Sequence, residues 1–308
     1  MIQYVVKRIF AGVTTVFFLI TITFFLMRAI PGGPFSAPED RNVTPEMIER
    51  IEEKYGLNDP LFTQYVRYLK NILKGDLGFS FIQPDYSVNE IIERGFPATA
   101  KVGLISAAVS LILGVALGII SAVHRGHWED WAAMVFATLG ISIPSFVITV
   151  LLMYYFCGVL QVLPNFGLSS WLHYLLPVAA LSFSSVASIT RLTRSSMLEV
   201  MRQDYIRTAR AKGVREFAII LKHGLKNAIL PVVTYAGPMI AALLTGGFVV
   251  ERMFSIPGIG REYVTSINDR DYAVLLGMTI YFGTLIIIAN LIVDVAYAIL
   301  DPRIKIEK

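Results

Sequence analysis

Residues 102–123 read VGLISAAVSLILGVALGIISAV, 22 consecutive positions without a charge. As an α-helix this run is about 33 Å long, enough to cross a hydrocarbon core of about 30 Å. Working outward, charge-free runs of the same order recur at 9–27, 131–163, 171–190, 227–250 and 273–293. The run at 131–163 is longer than one span, so its helix is expected to end near Gly158. Pro164, Asn165 and Gly167 then make 160–170 a turn. The expectation is an all-α, polytopic membrane protein with six spanning helices.

Composition agrees. Of 308 residues, 55% are hydrophobic and 16% charged, against about 25% charged in a soluble domain. Mean hydropathy is +0.61. The only cysteine, Cys157, lies in an apolar run, which excludes an internal disulfide or a cysteine-based zinc site and leaves a small buried hydrophobe.

Charge placement sets the expected orientation. Between the fourth and fifth runs stand Arg191, Arg194, Arg202, Arg207, Arg210, Lys212, Arg215, Lys222 and Lys226, and the tail adds Arg303, Lys305 and Lys308. Residues 31–97 are rich in acid, including Glu39, Asp40, Glu46, Glu49, Glu52 and Glu53. Six spans with both termini in the cytoplasm satisfy this asymmetry. The net charge of +4 is then a topology signal, not a nucleic-acid footprint. Lys7 and Arg8 precede the first run, but it is too long for a signal peptide and no small-x-small site follows, so a retained anchor is expected.

The acidic segment reads as folded. Thr44-Pro45 starts one helix with Ile48, Ile51 and Tyr55 on a face. Asp59-Pro60 starts a second, with Tyr65, Leu69 and Ile72 as its stripe and Gly75 as its stop.

Nothing in the chain matches a GxxxxGK[ST] loop, a GxSxG elbow or an HExxH pair, so no catalytic residue is assigned. His124 and His127 have ligand-like spacing, but beside Arg125 at the end of a run they read as interfacial, and no metal site is assigned. Asn42-Val43-Thr44 is a weak glycosylation sequon. Asp294 is an acid near the end of a span; a proton path would want several such groups at mid-membrane, which favours a structural role. Gly114 and Gly118, extended by Ser110, form a small-residue stripe suited to helix packing inside the subunit. Pro144 and Ser145, Ser184 and Ser188, and Pro231, Tyr235 and Pro238 are candidate pathway or hinge positions, with Ser182, Ser185, Thr234 and Thr245 beside them. The prolines free carbonyls and permit kinks; the hydroxyls either line a polar path or back-bond to the preceding turn.

The most informative stretch is 204–227. It predicts a helix over DYIRTARA, a break at Gly213, and a second basic helix with Phe217, Ile220 and Leu221 on one face. Small residues (Ala209, Ala211, Gly213) edged by Arg207 and Arg210 suit docking into a partner's cleft.

RTARAKG (207–213) with KHGLKNAILPVVTYAGP (222–238) resembles the EAA-type loop of ABC importer permeases, in the form found in oligopeptide and dipeptide permeases. FFLMRAIPGGPF (24–35), YGLNDPLFTQY (55–65), GDLGFS (75–80), SIPSF (142–146), FSIPGIGREYV (254–264), RDYAV (270–274) and VDVAYAILDPRIK (293–305) extend the resemblance over nearly the whole chain, most closely to the B-type subunit. The general pattern begins Glu-Ala-Ala, whereas Arg207, Thr208 and Ala209 stand here, and Lys226 replaces a common proline. Both departures narrow the family to peptide permeases.

The resemblance implies a type I importer permease: a spanning helix at 1–30, an extracytoplasmic helical segment at 31–98, a permease core at 99–302 containing a coupling loop at 191–227, and a tail at 303–308. Within that loop it assigns Arg207, Thr208, Ala209, Arg210, Ala211 and Gly213 to ATPase coupling. Implied partners are a second homologous permease in a heterodimer, two cytoplasmic ATPase subunits carrying ATP and Mg2+, an extracytoplasmic peptide-binding protein and membrane lipid. No cofactor is implied for this chain itself. Importers of nickel complexes, haem or oligosaccharides share the architecture; an ion-coupled secondary transporter would show repeated halves or a mid-membrane ion site, and neither is visible.

Overall fold

The computed structural model describes residues 2–29, 56 and 58–300, with side chains described for 6–29, 56 and 58–292. The helix expected after Thr44-Pro45, the sequon at Asn42, the Asp294 side chain and the tail at 303–308 lie outside the described residues.

Among those described, the chain is helical, with one isolated antiparallel bridge between Phe79 and Ser87. The elements are α1 (Ile2–Ala29), α2 (Leu61–Leu73), α3 (Val88–Val123), α4 (Trp128–Ser142), α5 (Ser145–Leu152), α6 (Leu172–Val200), α7 (Asp204–Ala211), α8 (Leu230–Leu244), α9 (Phe248–Met253), α10 (Ile259–Asn268) and α11 (Tyr272–Leu300). π-helical turns cover Met153–Val159 and Ile219–Leu225. Five helices are long and apolar enough to cross a membrane, and a sixth span results if the bent α4–α5 pair counts as one.

Local chemistry explains the starts and stops. Pro60 caps α2 with extended backbone, and Gly75 follows with φ +78°, as the Asp59-Pro60 and Gly75 signals predicted. Ser87 opens α3 through a capping box: its hydroxyl accepts from Glu90 N at 3.2 Å, and Glu90 accepts from Ser87 N at 2.9 Å. α3 runs for 36 residues, straight through position 98, so the segment expected to be extracytoplasmic and the expected core share a helix.

The third run needs correction. It is not one straight helix: α4 and the continuation from Ser145 meet at 107°. Pro144 has no N–H to donate and holds the preceding Ile143 extended (φ −88°, ψ 123°), so the α-helix cannot pass. The helical part does stop at Val159, next to Gly158.

The core is built around α6. The buried stripe of α3 (Ser106, Ala107, Ser110, Gly114, Gly118 and Ser121) lies against it. A Cβ on Gly114 would come within 2.6 Å of Ile189 Cβ, and one on Gly118 within 2.5 Å of Thr193 Cβ. Gly140 of α4 meets Ala187 of α6 equally closely, at 2.6 Å. Gly103 does the same to the Leu243 carbonyl of α8, at 2.5 Å. The stripe thus serves packing within the subunit, where close approach maximises dispersion contacts that the bilayer does not otherwise drive. Coverage follows the same geometry: 44% of the α6 span is buried, against 11% for α1, which sits at the edge on α11.

Gly114→Val should therefore lower stability by about 1–3 kcal/mol or prevent folding, because the new side chain must displace Ile189. Leu113→Ile, one position along on an exposed face, should stay within about 0.5 kcal/mol. Thermal unfolding of the purified chain in detergent distinguishes the two.

Candidate functional site: the 201–229 loop and the small-residue face

α7 is short and half-exposed. Ile206 and Ala209 turn inward against Ile219, Met201 and Val214, while Arg207, Thr208, Arg210, Ala211 and Gly213 remain at the surface. Of the six residues assigned to this loop, Ala209 is thus placed differently from expectation. At 7% exposure its small side chain lets α7 sit close on the following helix, and it offers no surface to a partner.

Gly213 ends α7 with φ +76°, a conformation that costs a side-chain-bearing residue about 1–2 kcal/mol. Its N–H donates to the Arg210 carbonyl at 2.9 Å, and Val214 N donates to the Ala209 carbonyl at 3.2 Å. A Cβ there would meet nothing within 4 Å, so the position opens outward.

Both arginines already have acids of their own. Arg210 makes a two-pronged pair with Glu216 (2.6 and 3.2 Å), and Arg207 lies 3.5 Å from Asp204. The hydrogen bonds from Arg210 hold the Glu216 carboxyl below its usual range and raise the guanidinium's own pKa. Being exposed, these pairs hold little energy individually. Thr208 back-bonds to the Asp204 carbonyl at 3.0 Å.

The second helix differs from its expected face. Ile219, Gly224 and Ala228 are buried, Ile220 is half-buried against the Met197 and Ala228 cluster, and Phe217 is 73% exposed. The π-helical turn at Ile219–Leu225 adds a residue to the turn and moves the buried side off an ideal 3.6-residue repeat. Periodicity could not anticipate that shift. Asn227 Nδ2 donates to Tyr205 Oη at 3.1 Å, tying the start of α7 to the root of α8.

Two fastenings escaped the sequence reading. At the loop end of the bundle, Asp130 is buried and accepts from Arg194 Nε (2.6 Å) and Nη2 (2.8 Å), Ser121 Oγ (2.6 Å) and Gly126 N (3.0 Å). This joins α3, α4 and α6 just before α7 begins. The signal was an acid and a base each within a few residues of a charge-free run, on spans of opposite direction. At the α2 end, Glu251 is 1% exposed and accepts from Thr99 Oγ1 (3.0 Å) and Arg261 N (3.2 Å), while Ile259 N donates to Thr99 Oγ1 (3.0 Å). Asp271, also buried, accepts from Ser80 Oγ and from Phe81 N at 3.2 Å. These carboxylates pin α10 and the 80–82 loop onto the spans. Sequence distances of 152 to 191 residues hide such pairs.

The candidate pathway residues fall on α5, α6 and α8. Pro144 and Ser145 are exposed at the bend leading into α5, which packs along α6. Ser184 and Ser188 are half-buried on α6, and Ser188 back-bonds to the Ser184 carbonyl at 2.9 Å. On α8, Pro231, Thr234, Pro238 and Ala242 recur along the exposed side, and Tyr235 is half-buried beside Val232 and Ile189.

One contrast sorts the surface. α3 exposes Leu104, Ile105, Ile112, Leu113, Ile120 and Val123, whereas α8 exposes no large hydrophobic residue and α6 only Leu175. The first is a face for lipid. The second is a face of prolines, hydroxyls and alanine, unsuited to acyl chains. Among the described residues no three metal-ligating side chains are gathered; His124 lies 3.0 Å from the Ile120 carbonyl at the surface.

Residues 114–306 match the family described as binding-protein-dependent transport system inner membrane component, and residues 1–103 match the N-terminal family of the same membrane components. The chain is 46% identical over 308 residues to the dipeptide transport system permease protein DppB of Bacillus subtilis, covering 100% of this chain and 99% of that one. It is 44% identical over 307 residues to the oligopeptide transport system permease protein OppB of Escherichia coli K12, covering 99% and 100%. The glutathione transport system permease protein GsiC of Pectobacterium atrosepticum is 40% identical over 305 residues, covering 99% of each chain.

Among solved structures, an inward-facing MetNI methionine ABC transporter matches with TM-score 0.53 at 17% identity, over 68% of this chain and 96% of that one. An amino acid ABC transporter solved with histidines matches with TM-score 0.53 at 14% identity, over 70% and 95%. These two support the fold.

The chain therefore belongs to the family of binding-protein-dependent transport system inner membrane components. It is a multi-span inner-membrane permease component and not an enzyme, and the family's description makes its transport dependent on a binding protein.

Breaking the Asp130–Arg194 pair should test how the loop end is held. Arg194→Ala leaves a buried carboxylate without its cation and should cost about 3–5 kcal/mol. The exchanged pair Asp130→Arg with Arg194→Asp should recover part of that loss in a thermal melt. Equal stability of wild type and Arg194→Ala would mean the pair holds nothing.

Proposed function

We propose that this chain forms half of the translocation pathway of an ATP-driven importer of oligopeptides or dipeptides. The observation that carries it is the α6–α8 surface, which exposes a single large apolar residue, Leu175, whereas α3 exposes six. Such a surface fits a second, homologous permease and an aqueous path between the two. The relatives named for dipeptide, oligopeptide and glutathione transport support a peptide as cargo. A peptide presents amide and charged termini, so prolines with free carbonyls ahead of them and hydroxyls suit its passage better than an acyl-lined groove would.

In this reading the binding protein delivers peptide on the α2 side, and two ATPase subunits carrying ATP and Mg2+ act on the 201–229 loop from the cytoplasm. ATP favours the closed ATPase pair, and that difference in binding biases the permease between its states. The loop has parts suited to carry movement: a rigid α7 held by Ile206 and Ala209, exposed Arg207 and Arg210, and the Tyr205–Asn227 bond to the root of α8. Rim charges of this kind steer docking more than they hold it.

Gly213→Trp should abolish peptide uptake by the reconstituted complex while the chain inserts normally, with the ATPase subunits either unbound or hydrolysing ATP without transport. Arg210→Glu should be milder and salt-sensitive. Wild-type uptake by Gly213→Trp would make the loop a connector only. The orientation is tested by cysteine labelling in a Cys157→Ser background: a cysteine at Asp76 should label from outside and one at Lys212 only from the cytoplasm. Labelling of both from one side would overturn the arrangement.

A further inference from the structure

α6 carries two arginines one turn apart in opposite surroundings. Arg194 is half-buried and closed on Asp130 through hydrogen bonds of 2.6 and 2.8 Å. Arg191 is exposed, and its partner is a neutral hydroxyl, Thr138 Oγ1 of α4, at 2.9 Å. Among the described residues no carboxylate pairs with Arg191. A guanidinium is a forked group of donors only, so one bond to Thr138 leaves most of its hydrogen-bonding capacity open to the face on which it stands.

Packing defines that face. α3 lies against Ile189 and Thr193 through Gly114 and Gly118, and α4 lies against Ala187 through Gly140. α8 joins Ile189 and Leu192 in one apolar cluster through Val232 and Met239. At about 100° per residue, Ser184, Ser188, Arg191 and Ser195 fall in one strip about 60° wide on the side away from α3. Ser184 and Ser188 are half-buried and Ser195 is exposed. The hydroxyls of Ser188 and Ser195 back-bond to the Ser184 and Leu192 carbonyls, both at 2.9 Å, and keep lone pairs with which to accept. α5 and α8, both packed on α6, contain no charged residue. The strip therefore presents one positive charge and no negative one of its own.

We infer that Arg191 receives the C-terminal carboxylate of the transported peptide, with the strip from Ser188 to Ser184 following the peptide backbone. This rests on the importer reading proposed above and names the part of the cargo that the α6 strip recognises. A carboxylate is the negative group that every unblocked linear peptide carries, and a guanidinium is its forked match. Ser184 stands seven residues from Arg191, about 10 Å along the helix, which is the reach of about three extended residues. A dipeptide or tripeptide held at Arg191 therefore stays on the hydroxyl side of α6 for its whole length.

The test uses the complete complex without nucleotide, in a Cys157→Ser background carrying Ser195→Cys, one turn from Arg191. The rate at which an uncharged maleimide labels this chain is measured with trialanine or trialanine amide present. Trialanine should slow the labelling, and the amide should need a roughly tenfold higher concentration to match it, the discrimination that one charge-assisted hydrogen bond carries. Arg191→Gln should bring trialanine down to the level of the amide, and Arg191→Lys should restore part of the difference. Equal protection by the two peptides, or a difference that survives Arg191→Gln, would overturn the assignment. So would a cysteine that never labels, since the partner permease or a lipid headgroup would then cover the strip. ATP-driven uptake by the wild-type complex tests the importer reading separately. Uptake without charge-dependent protection sinks only the role of Arg191, whereas no uptake of any dipeptide or oligopeptide sinks the importer reading itself.

Discussion

The backbone contact between α3 and α6 is the constraint from which the rest of the molecule follows. Gly114 and Gly118 bring α3 so near that a single methyl group would strike Ile189 or Thr193. In a membrane there is no hydrophobic drive between helices, so contact area and dispersion decide which faces meet. Small residues win that competition on one side of α3, and its branched side chains are left for lipid. α6 is thereby placed at the centre, with α4, α5 and α8 arranged around it.

A bundle held by close contact has few places to bend, and the chain supplies them by breaking hydrogen-bond ladders. Pro144 turns the chain by 107° beside α6. The π-helical turn at Ile219–Leu225 lies where a loop helix becomes a spanning one. Between them, Asp130 and Arg194 lock the end of α6 in place. The stiff part of the loop end is therefore the entry to α7, and the softer part is the root of α8.

The opposite end is fastened by carboxylates. Glu251 and Asp271 accept hydrogen bonds from backbone and hydroxyl donors on distant elements, which joins α10 and the 80–82 loop to the spans. Buried acids satisfied in this way fix geometry, because leaving any one of their donors unpaired is costly. α2 stands outside that hydrogen-bonded framework, attached through aromatic rings to α1 and packed on Leu276 of α11.

The sequence by itself determined the class of protein. Long charge-free runs can be satisfied only by helices in a bilayer, and the starts and stops of α2, the small stripe of α3 and the break at Gly213 follow from local chemistry at those residues. The family was legible for the same reason, since its motifs are contiguous. Only the tertiary structure decided which side of each helix faces what. Ala209 turned inward because α7 packs it with Ile206 against Ile219, and Phe217 stands outward while the buried side of the second helix follows a π-helical turn off the phase that a 3.6-residue repeat assumes. The partners of Asp130, Glu251 and Asp271 stayed hidden for a different reason: a buried carboxylate takes its donors from whatever elements packing brings alongside, and that choice is made in space, not along the chain.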